Sequence, residues 1–122
     1  SLLLVISLLL IPITLVQKNI WKESKSIISE LVRLEPTNPL YLNSLGLEFF
    51  KEGNYGQAEK FYRFALYFAP TYHKAYFNLA GLAFKKRELG KALEYIDQAL
   101  AIEPNYEQGI MFKKFLENEE KQ

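Results

Sequence analysis

His73 is the only imidazole in a chain of 122 residues, and it stands where one helical pattern begins, with no cysteine or carboxylate cluster at metal-ligand spacing around it. It therefore reads as a structural or solvent-facing side chain rather than a ligand or a base. The paired acids Glu48 and Glu52, and Glu119 and Glu120, are of the kind that decorates solvated helices, and without a pocket they make weak acid–base candidates. Lys85, Lys86 and Arg87 form a basic run at a helix C-terminus, where they complement the macrodipole. The chain contains no phosphate-binding glycine loop, nucleophile elbow or N-glycosylation acceptor, and with no cysteine it has no thiol chemistry, thiolate zinc site or disulfide framework. These observations give no catalytic residue, no metal and no cofactor, and the chain is not expected to be an enzyme.

Charge narrows the partners. Fifteen Lys and Arg against 14 Asp and Glu give no argument for nucleic acid. The apolar head does point somewhere. Residues 1–16, SLLLVISLLLIPITLV, carry no charge, and their composition is that of a transmembrane helix slightly shorter than the roughly 20 residues a span needs. Pro12 would kink such a helix without forbidding it. A cleaved signal peptide is the competing reading, but no small-x-small site precedes Gln17. The chain starts at Ser1 and its only methionine is Met111, so a longer parent is expected. Beyond the head come Lys18, Trp21, Lys22 and Lys25, an indole and three ammoniums at headgroup depth, and the lysines lean toward a cytoplasmic side.

The elements that follow are set by a repeat. Pro36, Pro70 and Pro104 are each 34 residues apart, and laying residues 39–72 over 73–106 pairs Leu45 with Leu79, Phe50 with Phe84, Gly56 with Gly90, Ala58 with Ala92 and Ala65 with Ala99. Within each unit the apolar residues fall at helical spacing in two runs, so the unit is a helical hairpin. Gly46 and Ala80 in the first helix, with Ala58 and Ala92 in the second, let the backbones approach. Between the helices Gly53 can take positive φ, whereas Arg87 at the same place needs a different or mildly strained solution. In LEPTNP at 34–39, Pro36 ends a helix while Asn38 and Pro39 cap and start the next.

This period, with Leu42, Leu45, Gly46, Phe49, Ala58, Tyr62, Ala65 and Pro70 recurring as Tyr76, Leu79, Ala80, Ala83, Ala92, Ile96, Ala99 and Pro104, resembles the tetratricopeptide repeat. The expected architecture is all-α, a tetratricopeptide-type helical-hairpin solenoid, or alpha-alpha superhelix, preceded by a transmembrane helix. The expected division is 1–16 transmembrane helix, 17–38 linker and half-repeat helix, 39–72 first repeat, 73–106 second repeat and 107–122 capping helix. One period back, Ser24, Ile28 and Leu31 fall in the slots of Ala58, Tyr62 and Ala65; the matching first helix would lie in the head, which is too hydrophobic for a soluble repeat.

The resemblance also implies a function and a site. In this family the first helix of each hairpin lines a concave groove, which here presents Asn43, Leu47, Phe50, Lys74, Phe77, Asn78, Gly81, Phe84, Met111 and Phe115 to a protein or peptide partner. Chaperone-binding members grip a terminal carboxylate with Lys and Asn; Asn43 and Leu47 at the first such positions speak against that specialisation. The expectation is a membrane-tethered module for protein–protein interaction, held by residues 1–16. The alternative comes from residues 10–46, which resemble the junction between the last membrane helix and the repeat tail of polytopic membrane glycosyltransferases and O-antigen-ligase-like proteins. That resemblance implies catalysis upstream and repeats outside the cytoplasm, against the lean of the lysines.

Overall fold

The computed structural model describes all 122 residues, the side chain of Ile11 excepted. Among the described residues the chain forms six helices: α1 Leu2–Leu34, α2 Pro39–Lys51, α3 Tyr55–Phe68, α4 His73–Lys85, α5 Leu89–Ile102 and α6 Glu107–Glu120. Their ends follow from local chemistry. The Asn38 side chain accepts from the backbone N–H groups of Leu40 at 3.1 Å and Tyr41 at 3.5 Å, and Pro39, which has no N–H to lose, opens α2. Asn54 caps α3 in the same way, accepting from Gln57 N–H at 3.3 Å.

The turns inside the two hairpins are the same motif. After α2 the N–H of Gly53 donates to Phe50 and that of Asn54 to Phe49; after α4 the N–H of Arg87 donates to Phe84 and that of Glu88 to Ala83. Both are left-handed helix stops, with φ 78° at Gly53 and φ 63° at Arg87. Arg87 thus takes the strained solution, in the conformation glycine adopts freely.

Helix α2 packs on α3 and α4 on α5, and the two hairpins join through α3 and α4. A Cβ at Gly46 would lie 2.7 Å from ring atoms of Tyr62 and 3.2 Å from the carbonyl oxygen of Ala58, so the first hairpin closes only because that residue is glycine. In the second hairpin the equivalent residue is Ala80, and the ring opposite is replaced by Ile96. The buried residues form a chain of clusters. Leu42 and Ala65 meet Ala75 of the next hairpin, Ala58 and Tyr62 meet Leu79 and Leu82, and Ala92 and Ile96 meet Leu116 of α6. Each link joins neighbours only, as a stacked repeat requires, and each large side chain fully buried there contributes about 1.5–3 kcal/mol.

Helix α1 is a single element. The backbone stays helical across residues 16 and 17, with Pro12 inside it. Its C-terminal half packs on α2, where Val32 joins the cluster of Leu42 and Lys25 lies 4.2 Å above the Phe49 ring. Its N-terminal half leaves most of the surface of Leu2, Leu3, Leu8 and Leu9 exposed. Helix α1 is long and apolar enough to cross a membrane, with mean hydropathy 2.0 and 0% burial over its apolar window; a signal sequence meets the same criterion.

Candidate functional site

The first helices α2, α4 and α6 carry the residues singled out from sequence, and the structure sorts them into groups. Asn43 is buried, and its side-chain oxygen accepts a hydrogen bond of 2.9 Å from Nδ2 of Asn78, which ties α2 to α4. The bond leaves Nδ2 of Asn43 as a donor and Oδ1 of Asn78 as an acceptor, the pair an extended peptide backbone complements. Leu47 is half-buried, and a Cβ at Gly81 would meet nothing within 4 Å, so the surface between these side chains is open. Lys74 is exposed with no ion-pair partner among the described residues.

The aromatic residues form the second group. Phe77 packs against Phe112 with ring centroids 5.7 Å apart, Phe84 against Phe112 at 6.1 Å and Phe115 at 5.2 Å, and Phe112 stacks on Phe115 at 6.1 Å. These rings join α4 to α6, and edge-to-face pairs of this kind add about 0.5–1.5 kcal/mol each beyond burial. Phe115 still shows 42% of its surface and Met111 71%, so the cluster has an exposed apolar rim. Phe50 stands apart near the end of α2, 5.5 Å from Tyr55 at the start of α3. Phe112, the hub, is visible in the sequence as an apolar residue of the amphipathic last helix but is not among the expected groove residues, although it lies one period after Asn78.

His73 lies edge-on to Tyr106 at 4.8 Å and tilted to Tyr72 at 6.5 Å, a packing role at the start of α4. Among the described residues no three His, Cys, Asp or Glu side chains stand together. Burial raises the phenol pKa of Tyr62, Tyr72 and Tyr106 above the ordinary value, which keeps these groups neutral. Glu48 corrects the expectation of a solvated acid. It is 6% exposed because it occupies the slot that Leu82 fills in the next hairpin, facing the preceding helix, and Lys51 meets its charge at 3.0 Å. Its neighbour Glu52 pairs with Lys25 at 2.8 Å.

Stacked helical hairpins whose first helices share one polar-apolar face define a class of repeat protein built for protein contact. Residues 49–113, more than half of the chain, match the tetratricopeptide repeat family, and the chain belongs to it. Solved structures agree on the fold. The first tetratricopeptide domain of Spaghetti (RPAP3), bound to an HSP90 peptide, superposes with a TM-score of 0.75 at 18% identity over 87% of this chain and 84% of its own. PcrH, in complex with the chaperone-binding region of PopD, gives 0.71 at 18% identity over 98% and 96%. An O-GlcNAc transferase of Thermobaculum terrenum gives 0.74 at 22% identity over 79% of this chain, which spans only 18% of that enzyme. At these identities the likeness is one of fold. No curated protein matches the chain.

Proposed function

We propose that this chain is a membrane-tethered tetratricopeptide module that holds a peptide segment of a partner protein along its first-helix face, from Asn43 and Leu47 through Lys74, Asn78 and Gly81 to Met111 and Phe115. The observation that carries the reading is the amide pair of Asn43 and Asn78, which leads to the exposed rim of the phenylalanine cluster. Spaghetti and PcrH, similar in fold, are each seen with a bound peptide or partner region. The tether is α1, whose apolar stretch is 0% buried among the described residues. We take residues 39–72 and 73–106 as the two full units, 17–38 as a half unit and 107–122 as the cap.

A photo-crosslinking residue at Met111 tests the face against a control at Tyr67, which is 78% exposed on the second helix α3. The expected result is an adduct from position 111 and none from 67; equal yields would refute the assignment. Deletion of residues 1–16 tests the tether, since the shortened chain should leave the membrane fraction. The unbroken run of α1 into the stack favours a second reading, in which the chain is the repeat tail of a polytopic glycosyltransferase or O-antigen-ligase-like enzyme. That reading sets the repeats outside the cytoplasm and catalysis in another part of the protein.

A further inference from the structure

The joint between α1 and α2 contains a cleft of about 720 Å³ that begins two residues past the apolar head. Lys18, Trp21, Lys22, Ser26 and Ser29 line its α1 wall, and Glu48 and Glu52 stand on the α2 wall. The repeat supplies its own comparison. One period along, the space between α3 and α4 is only about 130 Å³. There Arg63 replaces Ser29, and its guanidinium fills the space by donating to Glu59 at 2.8 Å and to the Tyr95 hydroxyl at 3.0 Å. Leu82 replaces Glu48. The open cleft is therefore peculiar to the joint beside the head and is not a property of the repeat.

Its charges are unevenly used. Lys25 is bound to Glu52 at 2.8 Å, Arg33 to Glu30 and Lys51 to Glu48 at 3.0 Å, so each carboxylate at the cleft already has a cation. Lys18 and Lys22 have no ion-pair partner among the described residues, and they lie one helical turn apart on either side of Trp21. Two uncompensated ammoniums beside an indole, followed on the same wall by two hydroxyls, form a graded site for a phosphodiester with a hydroxylated head. We infer that this cleft binds an anionic glycerophospholipid, with Lys18 and Lys22 on the phosphate and Ser26 and Ser29 on the headgroup hydroxyls. The inference rests on the membrane reading of residues 1–16 and adds to it a choice of lipid.

Trp21 is the only tryptophan in the chain and reports from inside the site. The full chain is reconstituted in phosphatidylcholine vesicles, and its emission is followed as phosphatidylglycerol replaces part of the lipid. A saturable change that weakens as salt is raised is expected. Each lysine near the surface is worth about fivefold in affinity, so Lys18→Gln with Lys22→Gln should weaken the response about thirtyfold, while Arg at both positions should retain it. An unchanged response in the Gln pair, or the same response in phosphatidylcholine alone, overturns the site. Inorganic phosphate that reproduces the change with dissolved chain overturns the lipid as its source. Flotation separates the two failures: a chain that floats with both vesicle types but ignores phosphatidylglycerol sinks only this inference, and one that floats with neither sinks the tether as well.

Discussion

Gly46→Ala sets two known effects against each other. Removing a glycine from a helix interior favours the helix by about 0.5–1 kcal/mol, so at an open position the change would stabilise the protein. At Gly46 the added methyl would stand 2.7 Å from Cδ1 and Cε1 of Tyr62, a distance at which one partner must move. Tyr62 cannot give way cheaply, being 1% exposed and packed among Ala58, Leu79 and Leu82, and the Ala58 carbonyl oxygen closes the other side at 3.2 Å. Overpacking of this kind costs about 1–3 kcal/mol, which outweighs the propensity gain and leaves a net loss of about 1 kcal/mol. The second hairpin shows the remedy, because Ala80 sits there with Ile96 in place of a ring. Tyr62→Ile alone should also destabilise, by loss of buried ring, but it should make room for the methyl. A double-mutant cycle by urea unfolding of the full chain in mild detergent, followed by far-UV circular dichroism, should give a coupling of at least about 0.5 kcal/mol in favour of the Ala–Ile pair. A Gly46→Ala protein that is more stable than wild type, with coupling near zero, would refute the claim that this residue sets the helix separation.

Two further outcomes follow from the turns and the charges. Arg87→Gly should raise the unfolding midpoint by the equivalent of about 0.5–1 kcal/mol, since release of the left-handed strain exceeds the entropy gained by the unfolded chain, while Gly53→Ala should lower it; equal and negligible shifts would show that neither turn is strained. For Glu59, hydrogen bonds from Arg63 and then Lys86 hold the folded carboxyl pKa below its ordinary 4.5, so its contribution is complete above that value and is lost as pH falls through the folded one. Glu59→Gln, at a surface site, should cost under about 1 kcal/mol at neutral pH, and that difference should vanish in acid; a difference that does not change with pH would locate the effect elsewhere.

The helices were legible because the period repeats the same small and large residues, and burial follows them: Ala58, Ala65, Ala92 and Ala99 are all wholly buried. The hairpin partners lie in those repeated positions, so one alignment carries both local and tertiary information. What lies off the period was not legible. The Asn43–Asn78 bond joins residues 35 apart, one step out of register, and Phe112 takes the place of a polar Asn78. Glu48 misled for a related reason, since an acid at a buried repeat position looks solvated until the neighbouring Lys51 and the α1 wall are placed. The head and the half unit merge into one helix because nothing at 17–20, QKNI, stops a helix.

The two ends of the stack are built differently, and the joints between units distinguish a native neighbour from a wrong one by charge. Helix α6 has the register of a first helix, but the positions that face a second helix in α2, Leu45, Gly46 and Phe49, become Lys113, Lys114 and Glu117. A lysine where glycine or alanine is needed disfavours the close helix approach seen in the two hairpins, and Lys113 turns instead to Asp97 of α5 at 2.7 Å. Helix α1 has the register of a second helix, yet Ser24, Ile28 and Leu31 are only half-buried where their counterparts Ala58, Tyr62 and Ala65 are sealed. That end is open. Between them the two joints carry the same bridge with its charges exchanged, Lys25 to Glu52 at 2.8 Å and Lys86 to Glu59 at 3.0 Å. Seating α1 on α4 in place of α2 would set Lys25 against Lys86, so a helix that skips a unit meets repulsion where the native neighbour meets an ion pair. The small energy of each bridge does not hold the stack together; its sign tells the chain which helix comes next.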